Sequence, residues 1–400
     1  METPFPLQGL LIRSPAQIRE LAGYCAHVYI DFEKSAGHRP QALSQPQGAD
    51  HARRLAQGID HRNPRDVPLP HTLQEVRELV QKAKSLRDEA HRYILDTIED
   101  IRLGSAVDTE DARQLVGAMV EQVIESPNAL VWLTQLRDRD EYTSQHSINV
   151  CILALTFGRF LGMRERHLQT LGLGALLHDI GKMKVPLEIL NAPRRLSEAE
   201  FQVMKAHPEL GHLLLRRDRS LPREALNVVI GHHERMDGGG YPHGLQGEAI
   251  PLYARLVAVV DVYDAVSSNR VYHARRLPQE ALAILFKMRG KELDTALVES
   301  FIRCIGVYPV GSLVELKSGE VGVVVGFNNE HRLKPTLMLL LDAGGAPLDQ
   351  PVMMNLASPA WADGGNSPAI GRIRTPDEVG LDPEKVIHAL QAQQGSQPSG

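Results

Sequence analysis

Cysteine is scarce in this chain. Its three residues, Cys25, Cys151 and Cys304, lie far apart and form no C-x-x-C pair. That excludes a disulfide-built scaffold and a dithiol redox site, and leaves reduced, buried, structural thiols as the expectation. No window holds eighteen apolar residues in a row, and no basic-then-apolar stretch opens the chain. Neither a membrane span nor a secretory leader is therefore expected, and the expected location is cytoplasmic. Positive charge is also in short supply. A formal net charge of −5 offers no broad surface for nucleic acid, so a small anionic ligand would depend on local cations. What is present in quantity is apolar residue, 43% of 400 positions, enough for two or three domains with real cores.

The chemistry gathers around His178-Asp179-Ile180-Gly181-Lys182. A helix-like apolar run, Leu168 to Leu177, ends there, so a neutral nitrogen ligand and an anionic oxygen ligand leave one corner together. Lys182 adds a cation where a phosphate oxygen could sit. Taken alone, His178 reads better as a histidine capping its helix than as a ligand. Its companions change that reading. His207 follows in a helical pattern opened by a capping box, Ser197 with Glu200, and running through Phe201, Met204, Leu210 and Leu214. His232 and His233 close another apolar helix. Asp261 interrupts the run Leu256 to Val260, where an ionised carboxylate is costly without a cation or partner. His146 opens a further helix. Three glycines, Gly238 to Gly240, permit positive φ and close backbone approach beside Tyr241, whose ring is either a core side chain or a platform for a base.

Over about residues 140 to 310 the sequence resembles the HD-GYP phosphodiesterases, a branch of the HD superfamily. The match runs in family order: His146-Ser147, His178-Asp179-Ile180-Gly181-Lys182, His207-Pro208 with Gly211, His232-His233-Glu234 with Asp237-Gly238 and Gly240-Tyr241-Pro242, then Asp261-Val262-Tyr263-Asp264-Ala265 with Ser268, Arg270 and Tyr272. The resemblance implies a helical HD-type core that hydrolyses cyclic di-GMP to linear pGpG, with further cleavage to GMP open. It implies two divalent metal ions, iron or manganese, bridged by Asp179. His146, His178 and Asp261 would complete one site, and His207, His232 and His233 the other. A cation pair of this kind, roughly 3.5–4 Å apart, generates hydroxide at neutral pH and neutralises a phosphodiester. Lys182, as a catalytic and substrate-binding residue, and Arg270 would hold phosphate, and Tyr241 would stack on a guanine. The alternatives are a cyclic dinucleotide sensor that docks a diguanylate cyclase without turnover, and a hydrolase of another cyclic dinucleotide such as cyclic GMP-AMP. Two departures stand out. Tyr142 occupies the position where some members carry a third-metal glutamate, and Glu141 lies about 100° away on a helix, so two metals are expected. Val271 and His273 replace the usual proline and basic residue, which puts substrate affinity in doubt.

The rest of the chain reads as flanks, giving a mainly α protein with a small α+β unit before the core and a small β appendage after it. Residues 1–65 resemble the later part of an accessory domain, shortened or read from a late start, with a Gly, Pro and Gln-rich linker. Residues 66–126 form a helical linker or stalk, beginning with a capping box at Thr72 and Glu75. Its apolar stripe from Leu73 to Ile101 marks a helix about 45 Å long, suited either to dimerisation and signal relay or to packing on its own core. The catalytic domain covers 127–308. Short β-like runs at 312–317, 321–327 and 336–341 indicate an appendage over 309–375, and residues 376–400 read as a short helix and a disordered tail. No input domain is recognisable.

Overall fold

The computed structural model describes residues 69–70, 72–105, 107–134, 142–267, 277–327, 333–358, 361 and 368–381. The readings on residues 1–65, Cys25, Glu141, the Tyr142 side chain, Arg270 and the tail fall outside them.

The described part opens with α1, Leu73–Leu103. Thr72 caps it by accepting the Glu75 amide, and Gly104, at φ 86°, closes it in the left-handed region. Its stripe is packed inside the chain: Val76, Val80, Ala83, Leu86, Ala90, Ile94 and Ile101 are all buried, against α2 (Thr109–Glu125), α3 (Pro127–Leu133) and α4 (Tyr142–Phe160). Self-packing thus covers most of the stripe, with Leu73 and Ile98 only partly buried.

The core is helical throughout. α5 (Glu165–Leu177) runs beside α4 and leads into a 3₁₀ turn at Ile180–Lys184 and the short α6, Leu187–Leu190. Then come α7 (Glu198–Met204), α8 (His207–Leu215), α9 (Arg223–Gly231), α10 (Leu252–Ser267), α11 (Pro278–Met288) and α12 (Thr295–Ile305). The single helix expected from Ser197 through Leu214 is two. Pro208 has no N–H to offer the Met204 carbonyl, and that carbonyl instead accepts from His207 Nδ1 at 2.8 Å. One proline therefore both breaks the helix and aims the histidine. The Ser197–Glu200 capping box forms as expected.

Cys151 and Cys304 are both buried. Burial pushes the Cys151 thiol up to about 12, so almost no thiolate exists near neutrality. Iodoacetamide at pH 8 is expected to leave Cys151 unlabelled in the folded chain and to label it in 6 M guanidinium; mass spectrometry of a tryptic digest reads the difference.

The appendage is a five-stranded antiparallel sheet ordered β4-β3-β2-β1-β5, with β1 Leu313–Leu316, β2 Val321–Gly326, β3 Thr336–Leu341, β4 Pro347–Asn355 and β5 Ile370–Arg374. The inner strands β2 and β3 are buried along their length, and β2 packs on α3. The two strands that sequence patterning does not show, β4 and β5, are the edges. Edges tolerate prolines such as Pro347 and Pro351 and charges such as Arg372, and Arg372 and Arg374 both pair with Glu315.

Candidate metal centre

Each of the seven ligand candidates leaves a helix or its end. His178 and His232 are the C-cap residues of α5 and α9, His207 is the first residue of α8, His146 lies in the first turns of α4, and Asp261 is mid-way along α10. A helix end leaves carbonyls without intrahelical partners. His178 Nδ1 takes the Ala175 carbonyl at 2.7 Å and His232 Nδ1 that of Val229 at 3.0 Å. Together with the His207–Met204 contact, this fixes three rings with Nδ1 as donor and Nε2 turned inward as a free lone pair.

Those nitrogens converge on Asp179. Its Oδ1 lies 3.2 Å from His207 Nε2 and 3.7 Å from His232 Nε2. Its Oδ2 lies 3.2 Å from His178 Nε2 and 3.7 Å from His146 Nε2. Two ligand groups result, Asp179 with His207, His232 and His233, and Asp179 with His146 and His178. Asp179 alone is in both. Asp261 spans the open side, 3.0 Å from His146 Nε2 and 3.8 Å from His233 Nδ1. His178 Nε2 and Asp179 Oδ1 are buried without a hydrogen-bond partner, an arrangement that costs stability unless a cation satisfies it. The donor set of imidazoles and carboxylates suits a divalent transition metal.

Electrostatics keep the Asp179 and Asp261 carboxylates ionised and two of the imidazoles, His232 and His233, neutral. Burial works against the Asp179 charge, but His178 and Lys182 outweigh it and hold its carboxyl well below the usual range. Burial, reinforced by His233, His178 and His207, drives His232 well below an ordinary histidine, and burial takes His233 down to about 3. Burial also opposes charge on His146, yet Asp261 and Asp264 prevail and raise it.

Asp264 is the residue whose role the sequence did not disclose. Its Oδ2 accepts from His146 Nδ1 at 2.7 Å, and its Oδ1 accepts from Asn149 Nδ2 at 3.1 Å. It therefore sets the tautomer that leaves His146 Nε2 facing Asp179 and Asp261. The i, i+3 spacing from Asp261 on an apolar helix was the available clue. Asp264→Ala is expected to weaken divalent-metal affinity by roughly 10–100-fold, measured by competition with a chromogenic chelator.

Lys182 lies on the carboxylate shared by the two groups, with Nζ 2.6 Å from Asp179 Oδ2. Tyr241 covers the other side, its ring 4.7 Å from that of His233 and tilted 34°. The loop carrying it is clasped by Glu234, buried in the apolar body, whose carboxylate accepts the amides of His243 at 2.8 Å and Leu245 at 2.9 Å. Of the three glycines, Gly238 takes positive φ, 80°. Gly240 serves close approach: a Cβ there would overlap Arg235 N and lie 2.6 Å from His233 O. A separate cavity of about 360 Å³, lined by Arg166, His167, Glu224 and Tyr253, sits near the N-terminal ends of α5, α9 and α10. It shares no residue with the ligand set.

Residues 128–297 match a family model described as HD domain, and residues 1–112 one described as a domain of unknown function (DUF3391). A cyclic di-GMP phosphodiesterase of Pseudomonas aeruginosa is 38% identical over 277 residues, covering 69% of this chain and 67% of the relative. A cyclic di-GMP phosphodiesterase response regulator of Xanthomonas campestris is 41% identical over 167 residues, covering 41% of this chain and 44% of its own. A 3'3'-cGAMP-specific phosphodiesterase of Vibrio cholerae is 32% identical over 162 residues, covering 40% and 31%. The chain thus spans two thirds of the first relative and less than half of the other two. With the histidine and aspartate positions assembled around Asp179 and the HD-domain match lying over them, the chain belongs to the HD-GYP family of HD-domain proteins.

Proposed function

We propose that this chain is a metal-dependent phosphodiesterase that opens cyclic di-GMP to linear pGpG. The observation that carries the reading is one buried carboxylate, Asp179, shared by two ligand groups. His146, His178 and Asp261 would hold one divalent ion and His207, His232 and His233 the other, with Asp179 between them. Iron or manganese in a cytoplasmic setting belongs to the same reading. Such a pair supplies Lewis-acid neutralisation of a phosphodiester and a strong oxygen nucleophile at neutral pH.

The chain's own residues do the remaining work. Lys182, fixed against Asp179, presents an ammonium at the edge of the ligand set, where it can donate to a non-bridging phosphate oxygen. Tyr241, on a loop held by Glu234, offers one flat wall for a purine and shields His233 from bulk water. The burial of His178, Asp179, His207 and His232 keeps water from competing with these contacts. Hydrolysis adds water across one P–O3' bond: the hydroxyl oxygen goes to phosphorus, and the proton goes to the departing 3'-oxygen. We also place the catalytic domain at 127–308, between the accessory and stalk residues and the β appendage.

The relatives support this substrate, since two of those described above are named for cyclic di-GMP. The one named for 3'3'-cGAMP favours a second reading, cyclic GMP-AMP as substrate. Anaerobic turnover by the iron(II)- or manganese(II)-loaded chain, with products separated by chromatography, decides between them. Production of pGpG or GMP from cyclic di-GMP at a higher kcat/KM than from cyclic GMP-AMP is the expected result. Saturable binding without product at full metal loading would instead make the chain a sensor.

A further inference from the structure

We infer that Lys205 and Phe201 form the outer wall of the substrate mouth. Lys205 takes the phosphate of the cyclic dinucleotide that is not being cleaved, and Phe201 stacks on its second guanine. The inference rests on the phosphodiesterase reading and extends it to the half of the substrate that the ligand cluster does not reach.

A cyclic dinucleotide has two phosphates and two purines. The cluster around Asp179 accounts for one phosphate, and Tyr241 accounts for one base. Lys205 is the residue at which α7 ends, two positions before His207, because Pro208 breaks the helix there. The same corner that aims His207 inward therefore turns Lys205 along the rim. Its Nζ lies 4.8 Å from the centre of the Phe201 ring and 5.8 Å from that of Tyr241, over both faces. An ammonium within about 6 Å of two aromatic rings is attracted to their faces and can still meet an incoming anion.

The other described cations of the mouth are committed elsewhere. Lys182 lies on Asp179 at 2.6 Å, and Arg235 is paired with Glu292 at 2.9 Å. Lys205 forms no ion pair with a carboxylate among the described residues. Phe201 is 39% exposed, a large apolar ring left against solvent beside a polar site. A purine laid on it would remove that apolar surface from water. Cation and ring lie one helical turn apart on α7 and its cap, so a single surface presents both.

The test uses the full metal-loaded chain. Equilibrium binding and turnover of cyclic di-GMP are measured for the wild type, Lys205→Met, Lys205→Arg, Phe201→Leu and, as a remote control, Lys317→Ala in the turn after β1. Lys205→Met is expected to raise KM and Kd about tenfold, with the larger part of the loss in KM rather than kcat and a weaker dependence of KM on salt. Lys205→Arg restores most of the binding, and Phe201→Leu loses affinity with less change in salt dependence. If Lys205→Met binds and turns over as the wild type does, the wall is refuted while the phosphodiesterase reading stands. A loss confined to kcat, or one shared by Lys205→Arg, also refutes it, because either marks a structural role. If the wild type neither binds nor cleaves cyclic di-GMP, both readings fall together.

Discussion

Asp179→Asn is expected to hydrolyse cyclic di-GMP at least about a thousandfold more slowly than the parent chain, corresponding to roughly 4 kcal/mol of lost transition-state stabilisation. The substitution keeps the shape of the side chain and removes its charge and one of its two oxygens. Both matter here, because Oδ1 faces His207 and His232 while Oδ2 faces His178, His146 and Lys182. An amide turned either way presents NH₂ to one of the two ligand groups, and an NH₂ cannot ligate a cation. Metal content after exhaustive dialysis, measured by plasma mass spectrometry, should therefore fall together with turnover. A variant that keeps both metals and loses only activity would show that Asp179 acts on substrate and does not bridge. A variant that keeps both activity and metals would remove the basis of the functional reading.

The cluster of histidines and aspartates was legible because several of its members are anchored by local features that sequence displays. His178 and His232 follow apolar runs that end in helix C-caps. His207 precedes a proline, and Asp261 stands out as a charge inside an apolar helix. The long α1 was legible for a similar reason: a threonine at its start and a stripe of period 3.6 along it. Partnership across the fold was harder to see. Asp264 gains its role only when α10 lies on α4 and brings Asn149 and His146 to its two oxygens. Glu234 holds a loop that leaves it and returns nine and eleven residues later. Neither distance is periodic. The break before His207 was visible in Pro208 but was overruled by apolar spacing that reads continuously across it, since Met204 and Leu210 suit either one helix or two. The edge strands β4 and β5 were hidden because their proline and charge content resembles loop.

Gly181→Ala is expected to be the most damaging single-methyl change in the core. Gly181 follows Asp179 by two residues and lies where the 3₁₀ turn meets the start of α8. An added Cβ would overlap the His207 carbonyl oxygen and the Gly211 amide nitrogen, both backbone atoms. No rotamer can relieve a clash with backbone, so the turn and α8 must separate. The cost should be on the order of 3 kcal/mol, read as a fall in melting temperature of about 5–10 °C. The direction of the separation carries the functional consequence. Asp179 and His207 belong to the two elements being pushed apart, and their 3.2 Å contact is what closes the second ligand group. Metal affinity should therefore fall more than the stability loss alone would produce, with the group of His207, His232 and His233 emptying before that of His146 and His178. Titration of the purified variant with manganese(II), followed by electron paramagnetic resonance, distinguishes sequential from joint loss. Unchanged melting and two equivalent sites would mean that the backbone accommodates the methyl group, and that the close approach of Gly181 to α8 has no bearing on the metal centre.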